Sequence, residues 1–233
     1  MEITVTLSAN AGVAICAQGC RVWVDAVHDR KIPGFSTVTP ELQQAMLGCD
    51  AFQNPEHILF THCHPDHYSH ALTMSAASVW PKAKLYLPEQ VFSDQTLISG
   101  QTCMVSENLI FSFVKLPHEG AQYENVAHYG VIMRIGEKNI LLAGDCATAS
   151  QALAQVLAGE KIHLAILNFP WITLKKGREF IKDYLPETKL LLCHLPFEQD
   201  DINGYRLAAQ KALEQYPNAR LLMEPLQTET VII

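Results

Sequence analysis

The sequence has no Cys-x-x-Cys pair, and its seven cysteines are odd in number. Both facts argue against a disulfide framework and against a structural zinc knuckle. Reduced thiols suit a cytosolic chain, so a cytoplasmic location is expected. No apolar run reaches transmembrane length. The first residues, Met1 to Leu7, alternate polar and apolar as a strand does and lack the basic and long apolar regions of a signal peptide. No membrane partner is expected. Basic clusters are scarce as well: the net charge is -7, and the densest group, Lys175, Lys176 and Arg178, reads as a solvated helix start. That excludes a nucleic-acid partner, which asks for a basic patch. No Pro/Gly/Ser-rich linker, charge block or low-complexity tract divides the chain. What remains is 233 residues, 48% hydrophobic and 18% charged, enough for one globular domain spanning residues 1–233.

Residues 3–7, 12–17 and 21–25 read as three strands of a β-meander, with turns near Ala9-Asn10 and Gln18-Gly19. A loop containing Pro33-Gly34 follows, then a helix over 40–48 with Thr39 as N-cap and Pro40 at its first position. A buried strand is expected over 57–60, a helix over 69–79, a strand over 84–87 and a proline-opened helix over 88–97. Strands over 109–116, 126–135 and 139–143 come next, the last two joined by a hairpin at Gly136-Glu137. Helices over 148–158, 173–184 and 203–216 then alternate with strands over 163–167, 189–193 and 220–223. Alternation of this kind implies crossover units and sheets flanked by helices. The expected architecture is α/β: two packed layers of sheet covered by helices, with a weak internal duplication at the level of elements.

The densest chemistry lies directly after the strand at 57–60, in Thr61-His62-Cys63-His64-Pro65-Asp66-His67. Two histidines two apart on an extended loop can grip one metal ion, and Asp66 and His67 can turn toward a second. Imidazole and carboxylate together suit zinc, iron, manganese or nickel. Three further donors, His118, Asp145 and His194, each sit just past the end of an apolar strand, as the cluster itself does. Strand ends converging on one edge are where such folds place ligands. Seven donors from four strand ends suffice for two ions with one carboxylate bridging. Cys63, Cys146 and Cys193 neighbour proposed ligands in sequence, and alternation along an extended chain turns them behind the site. Asp25, at the end of the third strand, is a candidate partner for a ligating histidine. Among the other histidines only His28, in the loop after Asp25, is a candidate for the site rim. Residues 26–37 with Lys31 and Phe35, Trp80-Pro81, Phe169-Pro170-Trp171 and residues 195–201 are candidates for the mouth.

His62-x-His64-x-Asp66-His67 followed in order by His118, Asp145 and His194 resembles the metallo-β-lactamase superfamily of hydrolases over nearly the whole chain. The resemblance implies the αββα four-layer sandwich. It implies His62, His64 and His118 on one metal, Asp66, His67 and His194 on the other, and Asp145 between them. Tyr68-Ser69-His70 departs from the glycines of glyoxalase II-like thioesterases. No large insertion of the nuclease type separates Asp145 from His194, and neither the exosite arm and basic face of the tRNA-processing relatives nor a flavodoxin domain is present. Within the superfamily the chain resembles the compact relatives with little insertion, lactonase-type sugar-phosphate hydrolases among them.

Two divalent ions, zinc first and manganese, nickel or iron as alternatives, would share a water whose pKa falls toward neutrality. Hydrolysis of an ester, lactone, amide or phosphoester of a small-molecule substrate follows, with Asp66 as the residue that orients the water and moves its proton. A mononuclear iron oxygenase on the same fold, or a non-catalytic binding module, is the competing reading.

Overall fold

The computed structural model of the chain describes residues 1–106 and 108–233. In chain order the first half gives β1 (Glu2–Leu7), β2 (Val13–Ala17), β3 (Cys20–Val24), α1 (Pro40–Gly48), β4 (His57–Leu59), α2 (His70–Val79), β5 (Lys84–Leu87) and β6 (Thr96–Leu97). The second half gives β7 (Thr102–Ser106), β8 (Leu109–Lys115), β9 (Tyr129–Ile135), β10 (Lys138–Leu142), α3 (Gln151–Leu157), β11 (Leu164–Asn168), α4 (Pro170–Thr173) and α5 (Lys175–Tyr184). It closes with β12 (Lys189–Cys193), α6 (Tyr205–Leu213), β13 (Ala219–Leu221) and β14 (Thr228–Ile232).

The strands form two seven-stranded sheets, ordered β14-β1-β2-β3-β4-β5-β6 and β13-β12-β11-β10-β9-β8-β7. Each combines four antiparallel strands with a parallel run, starting at the β3–β4 pair in one and the β10–β11 pair in the other. The matching plan agrees with the expected duplication of elements. Hairpin geometry follows from local residues. Gln18 and Gly19 both have positive φ (50° and 81°), as a two-residue turn that keeps Ala17 opposite Cys20 requires. Gly136-Glu137 turns β9 into β10, with Ile135 opposite Lys138.

Period-two alternation on β10 to β12 separates two apolar layers. Ile140, Leu142, Leu164, Ile166, Leu191 and Cys193 face the core that also holds Ile58, Phe60 and Leu87 of the first sheet. Their neighbours Leu141, Ala165, Leu167, Leu190 and Leu192 pack on the other side with Leu153, Trp171, Phe180 and Ala209 of the helices. Met46 and Ala76 bring α1 and α2 against the first sheet's core. The result is two mixed sheets flanked by helices, the αββα sandwich.

Several expectations change. Residues 88–95 are not helical. The side chain of Gln95 accepts from Val91 N and Phe92 N and donates to Glu89 O, which closes a turn that delivers Thr96 beside Tyr86. The helix expected over 173–184 forms as α5 from Lys175, and a short additional helix, α4, precedes it across Leu174. A side chain at Gly177 would strike the Trp171 carbonyl at 2.4 Å, so the two helices meet there backbone to backbone. Strands β7 and β14 are additional, and both lie at sheet edges. Thr39 caps α1 as expected, its side chain accepting from Leu42 N.

Candidate metal centre

The ends of β3, β4, β8, β10, β11 and β12 and the start of β9 meet at one edge of the sandwich. The seven donors named from sequence converge there in two groups, His62, His64 and His118 in one and Asp66, His67, Asp145 and His194 in the other. Within each group the donor atoms lie within 4.8 Å of one another.

Asp145, a member of the second group, also approaches the first through its other oxygen. Its Oδ1 lies 3.0 Å from His67 Nε2 and 3.5 Å from His194 Nε2. Its Oδ2 lies 3.5 Å from His118 Nε2 and 3.9 Å from His62 Nε2. Gly144 lets the carboxylate reach this position. Its φ is +55°, and a Cβ there would meet His128 Nε2 at 2.7 Å and Thr61 Oγ1 at 2.9 Å.

The ring orientations are set from behind. Asp25 has φ +52°, a conformation that Asp tolerates better than most residues. It accepts from Thr61 N (2.7 Å), from Thr61 Oγ1 (2.6 Å) and from His67 Nδ1 (2.9 Å). The Thr61 hydroxyl, having donated to Asp25, accepts from His62 Nδ1 at 3.0 Å. His118 Nδ1 donates to Glu119 O at 2.8 Å. With Nδ1 carrying the proton in all three rings, each Nε2 turns a lone pair inward.

Those lone pairs test whether the residues fit metal ions. His62 Nε2 and His118 Nε2 are buried and have no hydrogen-bond partner. His67 Nε2 faces His194 Nε2 at 3.2 Å with Asp145 Oδ1 beside it. Acceptors crowded in this way repel one another unless positive charge lies among them. Titration points the same way. Burial favours a neutral His67 ring, but the Asp145 and Asp25 carboxylates outweigh it and raise its pKa well above the ordinary histidine value. Burial opposes ionisation of Asp145, and the charges of His67 and His194 more than reverse this, so its carboxyl titrates well below the usual range. Asp66 is likewise held low against burial by His194, 3.6 Å away, and by His67. Imidazole and carboxylate donors around two such points fit divalent ions of the zinc, manganese, nickel or iron type.

Four supporting residues escaped the sequence reading. Asn168, at the end of β11, donates to Asp145 Oδ1 at 2.7 Å. Asn10, fully buried, accepts from His194 N at 2.7 Å and braces the loop at Ser36 through both side-chain atoms. It holds His194 at φ +61°, a strained value concentrated at functional sites. His128 packs 5.2 Å from the His62 ring, its Nδ1 against Leu116 O. Tyr123 covers His64 and His118 at ring distances of 4.9 and 4.7 Å. The histidine expected at the rim, His28, is instead fully buried beneath the site with Nε2 on Ala9 O, and burial lowers its pKa to about 4.

A cavity of about 810 Å³ opens over both donor groups. Phe35 and the Phe169-Pro170-Trp171 segment line it as expected. Trp80 and Pro81 do not, and they line a cavity at the other end of the sheets. Residues 195–201 give way to Asn203, Gly204 and Tyr205. Cys193 packs into the core behind the site, whereas Cys146 is buried but borders the cavity.

The sequence pattern of the beta-lactamase superfamily domain matches residues 20–177. No curated protein matches the chain. Solved structures share its fold at low identity. An isothiocyanate hydrolase from Delia radicum gut bacteria superposes with a TM-score of 0.70 at 15% identity, over 98% of each chain. A possible metal-dependent hydrolase from Veillonella parvula gives 0.70 at 16%, over 98% of this chain and 99% of the other. CmlA, a diiron beta-hydroxylase from Streptomyces venezuelae, gives 0.65 at 13%, over 99% of this chain and 54% of the other. No helix among the described residues is long and apolar enough to cross a membrane.

Proposed function

The chain belongs to the metallo-β-lactamase superfamily, and from that premise we propose that it is a dinuclear metal-dependent hydrolase of small organic molecules. The observation that carries this reading is the division of the Asp145 carboxylate, one oxygen toward each donor group. A carboxylate placed so is suited to bridging two ions, zinc first, with manganese, nickel or iron accepted by the same donors. His62, His64 and His118 would hold one ion, and Asp66, His67 and His194 the other. The pairing of β14 with β1 ties the C-terminus to the first strand and supports reading residues 1–233 as one domain.

Divalent ions held there would supply Lewis acidity and a water acidified toward neutrality. The chain does the rest. Asp66, ionised and open to the cavity, orients the water and takes its proton as the carbonyl or phosphoryl centre is attacked. Asp25 and Thr61 keep the His62 and His67 rings from rotating, and Asn168 fixes Asp145. Tyr123 shields the His64–His118 side from bulk water.

The test is elemental analysis of the purified chain joined to a screen of esters, lactones, amides and phosphodiesters after reconstitution with each metal. Two ions per chain and chelator-sensitive hydrolysis are expected. A single iron per chain with oxygen consumption would replace this reading by the mononuclear oxygenase; the beta-hydroxylase that shares the fold is a diiron protein.

A further inference from the structure

The cavity over the two donor groups is walled by Ile32, Phe35, Phe169, Trp171, Leu174 and Tyr205. Its aromatic side is continuous. Phe35 meets His194 edge-on at 4.7 Å, Tyr205 follows at 6.5 Å from Phe35, and Phe169 lies 4.9 Å from Tyr205. A substrate held with its reacting bond at His194 would therefore rest its body against rings.

Cationic side chains are missing from this wall. Among the described residues no lysine or arginine lines the cavity. The nearby loop cation Lys31 is bound to Asp200, and Lys176 is held by Glu119 at 2.9 Å. The charged groups that do line it, apart from histidine, are the carboxylates Asp66, Glu119 and Asp145. An anionic group on a substrate, placed away from the scissile bond, would lose its hydration against apolar walls and find no counter-charge. An aromatic or branched aliphatic body loses only unfavourable contact with water there.

Resting on the hydrolase reading above, we propose that the site takes hydrolysable substrates with an uncharged aromatic or branched aliphatic body, carboxylic esters and lactones among them, and that it discriminates against substrates with an anionic group remote from the scissile bond. In the reaction one water adds its oxygen to the carbonyl carbon, the acyl C–O bond breaks, and the water's proton passes through Asp66 to the departing alkoxide. An ester yields one acid and one alcohol, and a lactone yields one hydroxy acid.

Two substrates with the same leaving group make the comparison: 4-nitrophenyl butyrate and the mono-4-nitrophenyl ester of glutaric acid, with zinc-loaded protein. The neutral ester is expected to show at least about thirtyfold higher kcat/KM. Leu174→Lys, which places a cation on an exposed part of the wall, should narrow that ratio at least about fivefold, chiefly through KM for the anionic ester. Ratios within about threefold in the parent protein, or a preference for the anionic ester, would overturn the proposal. Absence of chelator-sensitive turnover with either ester and across the wider screen would count against the hydrolase reading instead. The cavity is then read by thermal shift, on loaded and chelated protein, with 4-phenylbutyramide against glutaranilic acid. Stabilisation by the neutral amide alone supports the selectivity, and equal or greater stabilisation by the acid in chelated protein overturns it.

Discussion

The two ends of this sandwich each hold a cavity and each gather metal-type donors, yet only one end is built as a site. At the strand ends that carry Asp145, three imidazoles have Nδ1 fixed by Asp25, Thr61 or a backbone carbonyl, and their Nε2 atoms converge. At the opposite end, beside a cavity of about 960 Å³, Cys20, Glu56 and His57 also bring donor atoms within 4.8 Å. There burial and the neighbouring Glu56 carboxylate push the thiol up to about 12, and Glu56 is exposed. Among the described residues the one side-chain hydrogen-bond partner of His57 is the Tyr86 hydroxyl, at 3.3 Å. Proximity of donors is common to both ends. What separates them is how many donors a further residue orients, His62, His67, His118 and Asp145 at one end against His57 at the other. That ordering costs entropy that a chance cluster does not spend.

The sharpest way to break the contrast is to delete one member of each cluster. Asp145→Ala removes the carboxylate shared by both donor groups, and turnover is expected to fall by about 10³-fold or more, with metal content falling in parallel. The double variant Cys20→Ser, His57→Ala should leave metal content and turnover unchanged. Elemental analysis on both proteins decides, and loss of an ion from the second would erase the distinction. Next in size is Asp25→Asn, which keeps the tolerance for positive φ but replaces an acceptor-only group by an amide. Because Thr61 and His67 both donate to this carboxylate, metal affinity should drop by about 10- to 100-fold, read by competition with a chromogenic chelator. Affinity within error of the parent would mean the rings are held by packing alone. Smaller again, Asn168→Ala removes one hydrogen bond to Asp145, and about tenfold in kcat is expected with little change in KM.

The same contrast explains how much could be read from sequence. The donors themselves were legible because four sit in one hexapeptide and the others follow apolar strands. Among their supports Asp25 was legible too, because it ends an apolar strand as the donors do, whereas the others are brought in by pairing direction. His128 stands before β9, and only the antiparallel course of β9 between β8 and β10 places its start at the edge where those strands end. Asn168 ends its strand as His194 nearly does, but an amide after an apolar run reads as a turn residue. Asn10 was assigned to a turn and serves that role, while its side chain also braces the loop at Ser36. Strand β14, Thr228-Glu229-Thr230-Val231-Ile232, is rich in β-branched residues but does not alternate, and its partner is the first strand of the chain, a pairing of the largest sequence separation available. The helix wrongly expected over 88–97 came from reading Pro88 as a first helical residue, when Gln95 was satisfying the same backbone donors from a turn.

The smallest expected effect concerns the unbuilt end by itself. His57 is buried, and burial lowers its pKa to about 4, with Glu56 pulling upward and Lys84 downward. Cys20, Tyr86 and Phe111 complete its surroundings. In the unfolded chain the ring titrates near the ordinary 6.5, so between these values the unfolded state binds the extra proton. The contribution of a neutral His57 to stability is therefore whole above about pH 6.5 and is lost as pH falls toward 4. His57→Phe keeps the edge-on contact with Phe111 and removes the titration. Relative to the variant, the parent should lose about 1–2 kcal/mol across that window, a figure reduced for screening at the ring edge that faces the cavity. Denaturant midpoints of the two chelated proteins from pH 7 to pH 4 give the difference directly. Parallel curves would show that the ring finds a proton-stabilising partner at this end, and that the second cluster is more organised than its geometry indicates.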